Sequence, residues 1–301
     1  MSFRTDETAN NNESYKIDKD QGCRLCPRSC GACRMAGEKG VCLADGEIRI
    51  ARAALHMWEE PCISGRTGSG AVFFSGCPLH CVYCQNREIA SGKGWVISQD
   101  RLSEIFLELQ AKKAVNINLV TPTHYTPQIV SAICRAREMG LSVPVVYNCS
   151  GYESVDTLRM LDGSIDIYLT DFKYPDSEGA RRYSNAPDYP EKAMEALGEM
   201  VRQCPAPEFS GNRNAKDEDE LLMTRGVIVR HLLLPGRVKQ ACETVRRVYE
   251  KFGSHVFFSL MNQFTPVSSL QEKYPEIARR VTEREYERWL NYVIDAGVEQ
   301  A

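Results

Sequence analysis

The stretch Ala71–Cys84, AVFFSGCPLHCVYC, joins an apolar run to a tight set of thiols. Ala71–Ser75 reads as a strand: five residues without a charge, bounded by glycine on both sides. It runs directly into Gly76-Cys77, and the cysteines then follow as Cys77, three residues, Cys81, two residues, Cys84. A strand that ends in such a loop points to an α/β fold with its chemistry at the strand's C-terminal end.

Outward from this stretch the pattern repeats. Strand candidates follow at Ile117–Val120, Val143–Asn148, Ile165–Asp171, Gly226–Leu232 and His255–Leu260. Helix candidates lie between them near 99–113, 126–139, 153–161, 190–203 and 238–252, and a last one spans Thr282–Ala296. Strand and helix alternating through the chain argue for a parallel α/β sheet. The strand runs are almost continuous in Val, Ile, Leu and Phe, as expected where both faces are covered. This alternation fits both a doubly wound sheet and an open or closed barrel. In either, polar residues collect at one rim: Thr121-Pro122-Thr123-His124, Asn148-Cys149-Ser150, Asp171-Phe172-Lys173, Arg230-His231 and Asn262-Gln263.

Three thiolates on one loop can each bind one iron of a cubane cluster, leaving a fourth iron open. An open coordination position is what a metal needs to bind a reactant. A zinc loop, or a cluster with a distant fourth cysteine, fits the triplet alone equally well. A second set precedes it: Cys23, Cys26, Cys30 and Cys33 at short spacing, then Cys42. That set suits tetrahedral zinc or an iron–sulfur cluster. Gly31, Gly37 and Gly40 would let backbone wrap closely around an ion. A structural metal would stabilise a segment with little core of its own. The remaining cysteines, Cys62, Cys134, Cys149, Cys204 and Cys242, are scattered and read as core or surface thiols.

The run SGCPLHCVYCQNREI, with its CxxxCxxC spacing and an aromatic before the last cysteine, resembles the radical SAM superfamily. Together with GSGAVFFSGC, NLVTPTHYTP, DIYLTDFKY and VIVRHLLLPG, it resembles the pyruvate formate-lyase activating enzyme-like branch. The resemblance covers roughly residues 22–270. It implies an α/β fold, a partial (β/α)6 TIM-type barrel with an N-terminal Cys-rich metal-binding extension. It implies a [4Fe–4S] cluster on Cys77, Cys81 and Cys84, and S-adenosyl-L-methionine as the second cofactor. One electron would cleave the latter to methionine and a 5′-deoxyadenosyl radical that abstracts hydrogen from a substrate. A flavodoxin- or ferredoxin-type reductant would supply the electron.

Residue roles carry over by position. Tyr83 matches the aromatic near the adenine ring; the alternative is a packed loop aromatic. Asn148 and Ser150 match the end facing the ribose and a nearby cation. Asp171 and Lys173 match an Asp-x-Lys pair, with Lys173 suited to the methionyl carboxylate; the alternative is a rim salt bridge. Arg230, in an apolar strand, is costly to bury unpaired and calls for an acidic partner. Many relatives carry Gly-Gly-Glu in the second-strand loop for the methionyl amine. Here that loop is Thr121-Pro122-Thr123-His124, so Thr121, Thr123, main-chain carbonyls or His124 would substitute, and His124 reads equally as a structural histidine. The histidine of the sixth strand end has no counterpart in Met261-Asn262-Gln263. In the N-terminal set the resemblance favours Cys23, Cys26, Cys30 and Cys42 as ligands and leaves Cys33 spare.

The bulk numbers narrow the field. Of thirteen cysteines, nine precede residue 85, so the inorganic chemistry belongs to the N-terminal third. Residues 1–21 have no apolar core of a secretory signal and read as a disordered polar tail. A cytoplasmic location follows, and with it metal binding over a disulfide framework. Charge is balanced at −3, from 37 basic and 40 acidic residues, which gives no reason for a nucleic-acid or membrane partner. The expected organisation is a tail at 1–21, a Cys-rich module at 22–70 and a barrel with its C-terminal helix at 71–301. Residues 205–224 read as a surface insertion. Three functions compete: an activase taking hydrogen from a glycine of a partner protein, a radical SAM enzyme acting on a small molecule or RNA, and a non-enzymatic iron–sulfur carrier.

Overall fold

The protein is described by a computed structural model, which covers residues 22–211 and 221–299. The expected tail at 1–21 and the middle of the expected insertion lie outside the described residues. The elements in chain order are β1 (Ile48–His56), α1 (Pro61–Ser64), β2 (Ser69–Phe74), α2 (Arg87–Ala90), β3 (Trp95–Ile97) and α3 (Gln99–Ala111). Then come β4 (Ile117–Val120), α4 (Thr126–Glu138), β5 (Val145–Cys149), α5 (Val155–Arg159), β6 (Ile167–Asp171), α6 (Ser177–Ser184) and α7 (Tyr189–Gln203). The chain ends with β7 (Glu208–Ser210), β8 (Leu222–Leu232), α8 (Val238–Phe252), β9 (Phe257–Met261), α9 (Leu270–Lys273) and α10 (Glu283–Asp295).

Six strands, β2, β4, β5, β6, β8 and β9, pair in parallel in that order. All six overlap the sequence-predicted strands. Side-chain alternation along them separates two cores. Val145, Tyr147, Tyr168, Val227 and Val229 belong to the large core that receives α3, α4, α7, α8 and α10. The residues between them, Val146, Ile167, Leu169 and Ile228, form a second cluster around Ile63 of α1. The main helices therefore cover one face only, which selects the barrel-like arrangement over a doubly wound sheet. β9 pairs with β8, and among the described residues no pairing closes it onto β2, so the barrel is partial.

The segment before residue 71 is more integrated than its composition suggests. β1 pairs antiparallel with β2 and with β3, extending the barrel sheet. Because β1 runs opposite to β2, it delivers residues 57–65 to the N-terminal ends of the parallel strands. There α1, started by Pro61, puts the fully buried Ile63 beneath the inner face. At the other flank, β7 pairs antiparallel with the start of β8, so the ends of the expected 205–224 insertion form a ladder.

Local signals explain the helix ends. Ser98 accepts the Arg101 amide at the start of α3, and Asp176 accepts the Gly179 amide at the start of α6. Thr282 and Glu285 form a reciprocal capping box on α10. Asn185 ends α6 in the left-handed region, at φ 46°.

Candidate functional site

Two residues beyond the inner apolar layer, the same strand faces turn polar. Asn148 follows Val146, Asp171 follows Leu169 and Arg230 follows Ile228, each by two positions. Asp171 and Arg230 are register partners in the β6–β8 ladder. Arg230 donates from Nε to Asp171 Oδ1 at 2.9 Å, from Nη1 to Glu59 Oε1 at 3.0 Å and from Nη2 to Asn148 Oδ1 at 2.8 Å. Glu59 Oε2 also accepts from Asn148 Nδ2 at 3.0 Å and Asn118 Nδ2 at 2.8 Å. Lys173 Nζ meets Asp171 Oδ2 at 2.5 Å. The expected acidic partners of Arg230 are thus Asp171 and, from the loop after β1, Glu59.

Charge states follow from this packing. Burial alone would raise the Asp171 carboxyl, but Arg230 and Lys173 outweigh it and hold Asp171 below the ordinary carboxylate range. Burial works against the Lys173 ammonium, yet Asp171 holds its pKa well above the usual value. Glu60, behind Glu59, is pushed up by burial against the opposing pull of Arg230. The layer is a chain of alternating charges, with the cation of Lys173 at its end.

The second-strand loop divides the sequence candidates. Thr121 leaves β4 at φ 58°, half-buried at the rim, with its N–H on the Asn148 carbonyl. Thr123 is buried and gives its hydroxyl to Glu153 Oε1 at 2.9 Å. Tyr147 donates to Glu153 Oε2 at 3.1 Å. Burial pushes the Glu153 carboxyl up to about 8. His124 is buried beside Gly76; its Nε2 bonds the Ser75 carbonyl at 2.8 Å and burial drives its pKa down to about 3. A neutral ring with its N–H on the last carbonyl before the cysteine loop supports that loop. Ser150 is half-buried, and its carbonyl accepts from Tyr189 Oη at 2.8 Å.

The cysteine loop leaves β2 through Gly76, at φ 92°. Cys77, Cys81 and Cys84 are half-buried, and all thirteen cysteines are free thiols. His80 sits at φ 53° between them, and the Cys84 amide closes a turn onto the Cys81 carbonyl at 3.0 Å. Tyr83 is almost buried, edge-on to Tyr183 and Phe264. Its hydroxyl meets Tyr174 Oη at 2.8 Å, Tyr174 meets Ser184 Oγ at 2.7 Å, and Ser184 donates to Cys81 Sγ at 3.1 Å. Since the one Ser184 hydrogen goes to sulfur, Tyr174 donates to Ser184 and Tyr83 to Tyr174. The chain of donors ends on a thiol of the triplet.

The N-terminal segment packs on this loop. Cys77 N–H donates to the Cys42 carbonyl at 3.1 Å. Arg28 bonds the Pro78 carbonyl at 2.9 Å and the Ser184 carbonyl at 2.8 Å, tying the loop to the end of α6. Arg34 is buried, donating to the Asp45 and His124 carbonyls. Sequence reasoning missed Glu59, Asn118, Glu153 and Ser184. Asn118 had a signal, an amide inside the apolar run Ile117–Val120. Glu59 lies far from its partners in sequence, and Glu153 precedes a helix like any solvated acid.

A family model for the Radical SAM superfamily matches residues 71–206, the span from the first parallel strand past α7. The uncharacterized protein MJ0674 of Methanocaldococcus jannaschii is 27% identical over 285 residues, covering 90% of this chain and 73% of its own. Among solved structures, methylornithine synthase (PylB) aligns with a TM-score of 0.48 and 14% identity, over 72% of this chain and 58% of that one. SuiB of Streptococcus suis bound to S-adenosylmethionine aligns at 0.48 and 16%, over 73% and 45%. Native anSMEcpe with bound AdoMet and Kp18Cys peptide aligns at 0.47 and 11%, over 74% and 57%. The chain thus spans about half the length of these structures. Among the described residues, no helix is long and apolar enough to cross a membrane.

Proposed function

We propose, from the match of residues 71–206 to the Radical SAM superfamily model, that this protein is an enzyme that cleaves S-adenosylmethionine reductively. The observation that carries the reading is the triplet Cys77, Cys81 and Cys84 on one loop at the C-terminal end of the first parallel strand. The donor set fits a cubane. Three thiols, none in a disulfide, share a short loop. Each of the three thiolates can bind a different iron of a cubane, which leaves the fourth iron open. Bound together, cluster and S-adenosylmethionine supply a 5′-deoxyadenosyl radical for hydrogen abstraction.

The chain's own residues position and shield. Lys173, kept protonated by Asp171, pairs with the methionyl carboxylate. Arg230 fixes Asp171, which in turn holds Lys173. Asn148, held from both sides by Glu59 and Arg230, and Ser150 line the ribose side. Thr123 and His124 are committed to Glu153 and Ser75, so Thr121 and main-chain carbonyls take the methionyl amine. Tyr83 closes the loop's flank against water. The substrate follows the resemblance to activating enzymes, a glycine on a partner protein, with a small molecule or RNA as the alternative. The polar layer inside the sheet favours an enzyme over an iron–sulfur carrier, which has no use for it.

The test is anaerobic reconstitution with iron and sulfide, reduction with dithionite and addition of S-adenosylmethionine. The expected product is 5′-deoxyadenosine, abolished in Cys77→Ala/Cys81→Ala/Cys84→Ala. Equal yields from parent and variant defeat the reading. A glycyl radical signal with co-encoded partners identifies the activase; its absence across all of them rejects it.

A further inference from the structure

The chain after β1 buries the wrong residue by the ordinary rule. Met57 is 43% and Trp58 88% exposed, yet the side chain of the next residue, Glu59, is only 12% exposed. Burial preference alone would turn the indole inward and leave the carboxylate in water. A local rule broken in this way is expected where a residue serves a site.

The inward turn is anchored from below. Pro61 starts α1, and Ile63 is fully buried beneath the inner face. Asn116 Nδ2 donates to the Ile63 carbonyl at 2.6 Å, and Ser69 Oγ donates to Asn116 Oδ1 at 2.5 Å. The Gly68 amide closes onto the Ser64 carbonyl at 2.9 Å. Residues 57–65 therefore form a strut, tied to the start of β2 at Ser69 and to the residue before β4, Asn116.

At the tip of the strut, the carboxylate collects three donors. Oε1 accepts from Arg230 Nη1 at 3.0 Å, and Oε2 from Asn118 Nδ2 at 2.8 Å and Asn148 Nδ2 at 3.0 Å. Asn148 is gripped at both ends of its amide, since its Oδ1 accepts from Arg230 Nη2 at 2.8 Å. Turning that amide over would set donor against donor at Arg230 and acceptor against acceptor at Glu59. Asn118 gives its amide to Glu59 and keeps Oδ1 buried, with no partner among the described residues. An orphaned buried acceptor is unfavourable, so the layer tolerates a defect at Asn118 to hold Glu59 in place.

Glu59 and Arg230 both lie outside residues 71–206, the span that matches the family model. We propose that Glu59 is a positioning residue of the S-adenosylmethionine site, acting through Asn148 and Arg230. The inference rests on the function proposed above and deepens it. Glu59 sets the direction of the Asn148 amide. By holding Arg230, which holds Asp171, it also reaches Lys173.

The experiment uses the full chain. Nuclear magnetic resonance follows the asparagine side-chain amides without cofactor, and equilibrium dialysis measures S-adenosylmethionine affinity after anaerobic reconstitution. Glu59→Gln keeps the size of the side chain but sets an NH2 group against the donors. It is expected to move the Asn118 and Asn148 amide signals and to keep the iron content of the parent. Binding of S-adenosylmethionine is expected to weaken about tenfold, the scale of one hydrogen bond to a charged group. Asn148→Ala is expected to weaken binding by a similar factor, and Glu59→Gln/Asn148→Ala by much less than the product of the two. Glu59→Asp keeps the charge and shortens the reach; it serves where Glu59→Gln does not fold, and is expected to move the same amides and weaken binding. Unchanged affinity in the Glu59 variants overturns the inference, as do an unmoved Asn148 amide or effects that multiply in the double variant. A parent that binds no S-adenosylmethionine defeats the function proposed above and this inference with it. A parent that binds and cleaves it, beside Glu59 variants that bind equally well, defeats this inference alone.

Discussion

Arg230 and Asp171 stand opposite each other in the β6–β8 ladder and meet at 2.9 Å inside the barrel. The pair has no slack. Arg230 also reaches Glu59, whose other oxygen is shared by two asparagines. Removing the arginine leaves carboxylates in a buried layer without their cation. Arg230→Met is expected to destabilise the protein by about 3–5 kcal/mol, the usual effect of breaking a buried pair from one side. Arg230→Met/Glu59→Gln/Asp171→Asn, which empties the layer of carboxylates beside the lost cation, should recover part of it. Urea unfolding of both variants measures this; a triple variant no more stable than the single one contradicts the assignment.

Glu153 makes the stability depend on pH in an unusual direction. Its carboxyl, ordinarily near 4.5, is pushed up to about 8 by burial. The folded state therefore prefers the neutral acid. Its contribution is fully present below pH 4.5 and is lost as pH rises toward 8, by about 1.4 kcal/mol per pH unit. Glu153→Gln keeps an acceptor for Thr123 and has no proton to lose. Unfolding midpoints should fall from pH 5 to pH 8 in the parent and not in the variant, so that the two proteins lie close at pH 5 and separate at pH 8. Parallel slopes would show that another group governs this window.

Gly76 tests how the N-terminal segment is held. Its φ of 92° already excludes most side chains, and a Cβ would lie 2.4 Å from the Cys42 carbonyl oxygen. Gly76→Ala must displace either the cysteine loop or the chain at Cys42. The expected cost is about 1–3 kcal/mol, with faster hydrogen exchange at the Cys77 amide and earlier proteolysis between residues 22 and 47. Unchanged exchange at Cys77 would mean that the contact is not what fixes the segment.

How far the sequence carried the reading follows from which interactions are local. The parallel strands were legible because burial on both faces leaves unbroken runs such as Ala71–Phe74. Cys77, Cys81 and Cys84 were legible because their spacing is itself the site. Arg230, Asp171 and Lys173 were found as charges in apolar surroundings. Glu59 was not, since its partners, Asn118, Asn148 and Arg230, come together only when β1 returns the chain beneath the sheet. β1 itself was hidden: the alternation of Ile48 and Ile50 with arginine belongs to a strand, but the surrounding cysteines and glycines gave the segment the look of a separate module. α6 escaped because its sequence, SEGARRYS, is short and polar, yet its last residue reaches the cysteine loop.

That last residue, Ser184, gives the most specific prediction. It is buried, and its hydroxyl donates to Cys81 Sγ at 3.1 Å. A hydrogen bond to a cluster thiolate favours the more negative, reduced state and so raises the reduction potential. Ser184→Ala is expected to lower the potential of the cluster on Cys77, Cys81 and Cys84 by on the order of tens of millivolts, the scale of one charge-assisted hydrogen bond. Behind Ser184 stand Tyr174 and then Tyr83, each donating to the next. Each polarises its neighbour less the further it lies from sulfur. Tyr174→Phe should therefore shift the potential in the same direction by less, and Tyr83→Phe by least. A redox titration followed by electron paramagnetic resonance orders the three. If Tyr83→Phe moved the potential more than Ser184→Ala, Tyr83 would act on the site by a route other than this chain.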